Sequence, residues 1–162
     1  MVAIYSTRGL SQGVGDLELL AEICLKGLVL TIAWCPQPIS ATPHVKGQPR
    51  PMSMLLAIGG SDRCTAVVET HTWEVLGEIE RSGVVSCVAW SPNDGGRRLA
   101  VRGQNGAVAV VDIRSKTVVA EIDLRSTKDG RGGGEEGERP RSAVKDVCWM
   151  LAIHTIVILC LF

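Results

Sequence analysis

The sequence predicts an all-β fold assembled from repeated units of four short antiparallel strands. Three observations predict it: a tryptophan-containing strand pattern that occurs three times, hairpins with polar turns between these strands, and a repeat length near 43 residues. Units of about 40–45 residues with four strands each are typical of propeller blades. The expected fold class is therefore an incomplete β-propeller, with about two full four-stranded antiparallel blades and a partial blade at each end.

The first strand of each unit carries the tryptophan. Three segments superpose without gaps: LTIAWCP at 30–36, SCVAWSP at 86–92 and KDVCWML at 145–151. In each, the tryptophan follows an apolar pair spaced two apart, which is typical of a strand with one buried face. We expect the tryptophans to occupy equivalent core sites in successive blades, with the residue two before each on the same strand face. These residues are Trp34, Trp90 and Trp149, with Ile32, Val88 and Val147.

A hairpin follows the first strand in two of the units. Residues Met54–Thr70 and Arg98–Ile113 each read as strand, tight polar turn, strand. The turns hold Gly60–Arg63 and Gly103–Gly106, where glycine and small polar residues tolerate positive φ at little cost. Each hairpin therefore supplies the second and third strands of a blade.

A fourth short strand completes each unit. Alternating segments occur at Trp73–Glu80 and Thr117–Leu124, each a few polar residues after its hairpin. In the better-defined unit we expect inward rows on its third and fourth strands. These rows are Val108, Val110, Val118 and Ala120.

The start of the chain fits the same frame. VAIYSTRG at 2–9 aligns with VAVVDIRS, and LELLAEICL at 17–25 aligns with TVVAEIDL, so the chain is expected to open in the middle of a blade. The aligned positions Tyr5, Val68 and Val111 lie 63 and 43 residues apart. The longer interval contains the proline-rich stretch 36–52, which accounts for most of the excess and leaves a period near 43.

The unit at Val84–Leu124 resembles a WD repeat. Val111-Asp112 stands where that family usually has its Trp-Asp pair, and the resemblance extends over about Val2–Met150. It is most specific over Met54–Leu124. The resemblance implies a rigid, disc-shaped scaffold for protein binding.

The chain departs from the family pattern at its hallmarks. The Gly-His pair before the first strand is missing, and only Asp112 keeps the acid of the Trp-Asp pair. Glu69 and Ser6 stand at the other two acid positions. The buried His–Ser–Asp–Trp hydrogen-bond network of the family is therefore not expected, and apolar packing should hold the blades together.

Two regions of the chain separate by composition. Residues 1–150 are expected to form the propeller fragment, with irregular or disordered loops at 36–52 and 125–142. The proline-rich loop cannot donate a full set of ladder hydrogen bonds, and the glycine-rich, charged loop has too few apolar residues to order itself. Residues 151–162 form an apolar tail that the repeat does not explain.

The tail LAIHTIVILCLF admits three interpretations. Its β-branched content favours a buried terminal strand. A membrane anchor needs about 17–25 apolar residues, which is longer than the run here. The interpretation favoured by the broken repeat pattern is that the last blade is truncated after its first strand and that the tail is not native propeller sequence.

Charge and cysteine content bear on the partners and the compartment. Seventeen basic and seventeen acidic residues cancel, so no net field favours nucleic acid or an anionic membrane. The six cysteines form no C-x-x-C pair and have no histidine at metal-ligand spacing, which predicts reduced, buried thiols. The N-terminus lacks a signal-peptide pattern. The sequence thus predicts a cytoplasmic protein, with the nucleus as the alternative.

No residue qualifies as catalytic, cofactor-binding or metal-binding by sequence. No phosphate-binding glycine loop or nucleophile elbow occurs. His44, His71 and His154 fall in a proline-rich loop, a hairpin turn and the apolar tail, and none is paired with a cysteine or serine in a recognised frame. We predict no enzyme activity and no cofactor.

The expected function is a non-catalytic protein-interaction scaffold. Its expected partners are other proteins or peptides, without nucleic acid or membrane, and self-association through open blade edges is an alternative. Two further hypotheses stay open: a truncated gene fragment without independent function, and a tail-anchored adaptor. The first rests on the strand count, which falls short of the 4–8 blades of a closed propeller.

Overall fold

The computed structural model describes residues 1–6, 17–40, 52–123, 143–150 and 155–161; for positions 40, 52 and 143–161 it describes the backbone alone. All regular structure in these residues is β-strand. In chain order the strands are β1 (Val2–Ser6), β2 (Glu18–Ile23), β3 (Val29–Trp34), β4 (Ile39–Ser40), β5 (Met52–Ser53), β6 (Leu55–Gly60), β7 (Cys64–Glu69), β8 (Val75–Glu80), β9 (Val85–Trp90), β10 (Arg98–Gly103), β11 (Ala107–Asp112), β12 (Thr117–Asp123), β13 (Ala143–Met150) and β14 (Thr155–Leu161).

Two complete antiparallel sheets form the centre of the molecule. The first has the order β3-β6-β7-β8 and the second the order β9-β10-β11-β12. Three two-stranded sheets, β1-β2, β13-β14 and β4-β5, complete the described strands. The all-β class and the two four-stranded blades predicted from the repeat are confirmed.

Every blade repeats one backbone register. Between first and second strands, Trp34 pairs with Leu56 as Trp90 pairs with Leu99, and Trp149 of β13 pairs with Ile156 of β14. The same one-residue irregularity recurs in all three pairs, at Leu30, Ser86 and Lys145. The pair β13-β14 is therefore the first and second strand of a blade.

A second shared irregularity identifies the opening pair. The register shifts between Ile4 and Tyr5 in β1, between Val67 and Val68 in β7, and between Val110 and Val111 in β11. Each of these strands pairs antiparallel with the strand that follows it. Strands β1-β2 are thus the third and fourth strands of a blade, as the alignment of Tyr5, Val68 and Val111 predicts.

The tail contributes a strand to the propeller. Residues Thr155–Leu161 form β14 against β13, so the expectation that the last blade stops after one strand is wrong. The β-branched run Ile156–Ile158 supplies the backbone pairing that Leu99–Val101 supplies one blade earlier. The backbone of Thr155–Leu161 is that of a strand, whereas its burial, a membrane anchor and a non-native origin of the tail are not tested and stay predictions.

The larger apolar core lies between the two complete blades. From the second blade it takes Val88, Trp90, Leu99, Val101 and Val111, all close to fully buried. From the first blade it takes Cys35, Leu55, Ala57, Val67 and Ile79. The Trp90 Nε1 donates to the carbonyl oxygen of Ala33 at 2.9 Å, which fixes the ring across the interface.

A smaller core joins the opening strands to the first blade. Ile23 is buried with Leu56, Ile58 and Val68 of the first blade, and β1 packs Val2 and Ile4 against the same group. The described blades therefore stack side by side, each covering one face of the next. Successive first strands meet along the stack, since β3 lies against β9 and β9 against β13.

Two core predictions fail for the same physical reason. Trp34 and Ile32 hold the predicted equivalent register positions but are 49% and 47% exposed, whereas Trp90 and Val88 are 5% exposed. No first strand of a preceding blade lies over β3 within the described residues, so this face has no cover. Val108 and Val110 are buried as predicted.

The predicted inward row on the fourth strand is also wrong. Val118 and Ala120 are exposed together with every other residue of β12. As the outermost strand of its sheet, β12 has a neighbour on one side only, β11. Apolar and polar residues alternate along β12, but its apolar residues are not buried.

The proline-rich loop is partly ordered. Strand β4 pairs Ile39 with Ser53 and Ser40 with Met52 of β5, so both ends of the predicted irregular stretch 36–52 form a short ladder. Residues 41–51 and the loop 125–142 lie outside the described residues. The expectation that they are irregular or disordered stays a prediction.

Candidate protein-binding surfaces

Asp112 caps the turn between the third and fourth strands of the second blade. Its Oδ1 accepts hydrogen bonds from the backbone N–H of Arg114 at 3.0 Å and of Ser115 at 3.1 Å. Its Oδ2 accepts from Arg97 Nε at 2.7 Å. The Arg97 hydrogen bond, followed by that from Ser115, lowers the pKa of Asp112 to about 2.

Glu69 caps the equivalent turn in the first blade. Its Oε2 accepts from the backbone N–H of Thr72 at 2.7 Å and from the Thr72 hydroxyl at 2.8 Å, and its Oε1 accepts from the backbone N–H of His71 at 3.0 Å. Burial acts to raise the pKa of Glu69, but these hydrogen bonds outweigh it and hold the pKa below its ordinary value. Both acids at the Trp-Asp position therefore serve local turn geometry.

The first candidate surface lies on the outermost strands of the two complete blades, and we call it the rim surface. It consists of the exposed apolar side chains of β8 and β12: Val75, Leu76, Val118, Val119 and Ile122. The Arg81 guanidinium forms an ion pair with Glu121, which ties the end of β8 to β12. Single exposed apolar residues are ordinary, whereas contiguous groups of them are typical of protein-binding surfaces.

The second candidate surface is the exposed side of β3, and we call it the open face. It consists of Leu30, Ile32 and Trp34. The Trp34 ring meets Trp73 edge to face, with centroids 6.4 Å apart and planes at 81°. No acceptor for Trp34 Nε1 occurs among the described residues.

Among the described residues we find no cluster of potential metal ligands and only small hollows. Across the described ranges, no three His, Cys, Asp or Glu side chains cluster as metal ligands would. Two hollows beside the first blade have cavity volumes of about 10 and 20 Å³, far below the roughly 300–1,000 Å³ of typical ligand pockets. The sequence-based expectation that no residue is catalytic, cofactor-binding or metal-binding stays a prediction.

None of Cys24, Cys35, Cys64 and Cys87 forms a disulfide. Cys35 is buried in the larger core, where burial raises the pKa of its thiol, and Cys24 is exposed. Cys64 and Cys87 are half-buried. Of these four cysteines only Cys35 is buried, so the prediction of buried thiols is wrong for Cys24, Cys64 and Cys87.

None of the described residues lies in a helix of the length and apolarity that crossing a membrane would require.

Sequence reasoning missed both surfaces, although each has a signal in the chain. Strict alternation predicts one apolar face per strand, yet Val75-Leu76 and Val118-Val119 are adjacent apolar pairs. Adjacent pairs place apolar side chains on both faces of a strand. The exposure of the open face depends on which strands of other blades lie beside β3, and local sequence patterns do not encode this.

Comparison with known proteins identifies the repeat family. Residues 51–152 match the family described as the WD40 domain of anaphase-promoting complex subunit 4. The matched range covers most of the first blade from β5 onward, all of the second blade and β13. No curated protein sequence matches the chain.

Among solved structures, the fold resembles hydrazine synthase from Kuenenia stuttgartiensis, with a TM-score of 0.56 and 18% identity. The alignment covers 87% of this chain and 32% of that one, so the chain spans about a third of its length. At this identity the likeness shows a shared fold alone.

Proposed function

The chain belongs to the family of anaphase-promoting complex subunit 4 WD40 domains, and on this premise we propose that it is a non-catalytic scaffold that binds other proteins. WD40 domains generally bind other proteins. The finer proposal is that this chain binds subunits of an anaphase-promoting complex, inside the cell and without a cofactor.

The rim surface is the observation that carries the proposal. Leu76 and Val119 are 49% and 53% exposed on the outermost strands of the two complete blades. Their strands are held side by side by the Arg81–Glu121 ion pair and by Lys116, whose side chain lies against Gly77 of β8. Strands that already hold apolar side chains in an extended conformation lose less conformational entropy on binding than a flexible segment does, which favours their use as docking sites.

Affinity purification of the tagged full chain, followed by mass spectrometry, tests the proposal. We expect other subunits of an anaphase-promoting complex to co-purify with the native chain. The double variant Leu76→Glu, Val119→Glu places two charges on the rim surface and should lose these subunits, since burying an unpaired carboxylate in an interface is costly.

Leu28→Glu provides the matched control. Leu28 is 74% exposed and lies outside both candidate surfaces, so this variant should keep the co-purifying subunits. Far-UV circular dichroism checks that all variants retain their strands. Co-purification of no such subunit with the native chain, or equal recovery with the rim variant, would contradict the proposal.

A further inference from the structure

One of the two hollows lies between the complete blades, and we call it the interblade hollow. Its walls come from β8 of the first blade and from the turn that joins β11 to β12 in the second. The lining residues are Val67, Leu76, Gly77, Ile79, Ile113 and Lys116. Both sheets have all four strands, so these walls are formed within complete blades.

A bulge in β8 turns Leu76 toward the interblade hollow. Strand β7 pairs Val67 with Gly77 and Val68 with Val75, so Leu76 is the extra residue of the bulge. Strict alternation would place Leu76 on the face of β8 opposite to Gly77, yet both residues line the hollow. Because Leu76 is 49% exposed, the bulge places a solvent-exposed apolar side chain at the edge of the hollow.

Lys116 supplies the charge of the interblade hollow. Its exposed side chain lies over Gly77, where a Cβ would be 2.5 Å from Lys116 Nζ and 2.7 Å from Lys116 Cε. The lysine can lie there because Gly77 has no side chain. Among the described residues, Lys116 Nζ has no hydrogen-bond or ion-pair partner.

The turn before β12 directs the lysine to this place. Lys116 has a φ of 56°, and Trp73, at the equivalent position of the first blade, has a φ of 61°. Positive φ is uncommon for such residues, so the same unusual backbone occurs in both turns. Trp73 packs against the smaller core, whereas Lys116 places an ammonium group at the interblade hollow. The repeated turn therefore carries an aromatic ring in one blade and an unpaired charge in the next.

The acidic side chains of the neighbouring elements are paired with other residues. Asp112, at the start of the same turn, binds Arg97, and Glu121 of β12 binds Arg81. Glu78 of β8 lines the other hollow. None of the described carboxylates lines the interblade hollow, so its ammonium group stands in an apolar lining. Such a site is complementary to a carboxylate that has apolar neighbours.

We propose that the interblade hollow binds an extended segment of a partner protein, in which an acidic residue stands two positions from an aliphatic one. Side chains two positions apart lie on the same face of an extended segment. The carboxylate pairs with Lys116 Nζ, and the aliphatic side chain covers Leu76 and Ile113. The cavity volume of about 20 Å³ is small, so the segment lies across the hollow. This inference rests on the proposed scaffold function and names the chemistry of a partner segment.

Selection of random phage-displayed peptides against the immobilised full chain tests this chemistry. We expect the enriched sequences to carry Asp or Glu two positions from Leu, Ile or Val. The most enriched sequence, synthesised with a fluorescein label, is the probe for fluorescence polarisation. Replacing its acid by the corresponding amide should weaken binding about three- to five-fold, which is the range for an exposed ion pair.

Variants of Lys116 test the position of the site. Lys116→Gln removes the charge and should weaken binding of the probe by the same factor, whereas Lys116→Arg keeps the charge and should retain binding. Lys116→Glu should bind the acidic probe more weakly still, and a probe with lysine in place of the acid should recover binding to this variant. Leu76→Ala should weaken binding of the acidic probe several-fold.

Arg114→Gln is the matched control. Arg114 is an exposed cation of the same turn and does not line the interblade hollow, so this variant should bind the probe like the native chain. Melting temperatures of all variants check that they remain folded. Selection without enrichment of acidic sequences, or equal binding of the probe to the native chain and Lys116→Gln, would overturn the inference.

Co-purification judges the proposed function separately. If the probe depends on Lys116 but no subunit of an anaphase-promoting complex co-purifies with the native chain, the peptide site stands and the proposed partner is wrong. If such subunits co-purify but probe binding does not depend on Lys116, the proposed function stands and the interblade site is wrong.

Discussion

At the scale of single residues, Trp90 joins the two complete blades through both its ring and its Nε1 hydrogen bond. The ring lies in the larger core at 5% exposure, and the hydrogen bond reaches Ala33 of the neighbouring blade. The repeated sequence pattern predicts this burial. It does not predict that Trp34, in the same pattern, is half exposed, because burial there depends on the adjacent blade and not on the strand itself.

Trp90→Ala should destabilise the protein by about 3–5 kcal/mol, since it removes a large buried ring and leaves a cavity. Trp90→Phe keeps an aromatic ring but loses the hydrogen bond, so it should cost about 1–2 kcal/mol. Chemical denaturation with both variants measures the free energies of unfolding. A cost near zero for the alanine variant would show that Trp90 does not carry the interface.

A substitution at Thr65 should stabilise the protein. It is fully buried in β7, and its Oγ1 finds no hydrogen-bond partner among the described residues. The equivalent positions in the other blades are Val2 and Val108. Thr65→Val should therefore stabilise the protein by about 1 kcal/mol, because an unsatisfied buried hydroxyl is replaced by a methyl group. A lower melting temperature for this variant would contradict the assignment.

Asp112 gives the fold a dependence on acid pH. Its pKa of about 2 lies below the ordinary value of 3.8, so its stabilising effect is present above pH 4 and is lost as the pH falls toward 2. Asp112→Asn should be less stable than the native chain at neutral pH, and the difference in melting temperature should narrow near pH 2. Glu22→Gln, at an exposed position of β2, is the control. If the difference in melting temperature between the native chain and Asp112→Asn stays constant with pH, the ionised Asp112 does not stabilise the fold.

At the scale of elements, the close approach of β6 to the next blade depends on Gly59. A Cβ at this position would lie 2.5 Å from Val85 Cγ1 and 2.8 Å from Thr31 Cγ2. The neighbouring blade thus packs directly on the backbone of β6. Sequence reasoning placed the glycine near the end of a strand but could not show this contact, which joins residues of different blades.

Gly59→Ala should cost about 1–3 kcal/mol through overpacking. Gly83→Ala is the matched control, since its Cβ would meet nothing closer than Asn105 Cγ at 3.5 Å. In a double-mutant cycle, Val85→Ala should recover part of the loss, so that the combined cost is less than the sum. If the free-energy costs of the two substitutions simply add, Gly59 and Val85 do not interact.

On the fourth strands, the alternation of apolar residues predicts where the strand lies but not which residues are buried. The pattern at Thr117–Leu124 predicts the extent of β12 to within one residue, yet the predicted inward residues Val118 and Ala120 are exposed. Alternation specifies two faces, whereas burial depends on what covers each face. An outermost strand has one lateral neighbour, and its apolar residues are left for the rim surface.

At the scale of the whole molecule, stability should fall from the middle of each sheet toward its outer strand. Strands β7 and β11 are buried and paired on both sides, whereas β8 and β12 are exposed and paired on one side within the described residues. Amide hydrogen exchange should therefore be slowest in β7 and β11 and several-fold faster in β8 and β12. Uniform protection across each sheet would contradict this gradient.

The propeller class was predictable because each strand is encoded locally, by a tryptophan or by a polar turn between apolar runs. The contribution of the tail was not, since Thr155–Leu161 lacks the turn residues of the earlier second strands. Only its pairing with β13, in the register of β9 with β10, identifies its role. The candidate surfaces depend on the arrangement of whole blades, and so they lie furthest from what local patterns encode.

The repeated bulges have a consequence for how such a chain can be rearranged. Each first strand shifts register at one position, which is Leu30, Ser86 or Lys145, so every blade begins its pairing in the same phase. We expect that a segment from one bulge to the next can be exchanged or duplicated as a unit. Its apolar residues would still face the core, because the pairing phase is unchanged. Recombination at these positions would lengthen or shorten the array by whole blades.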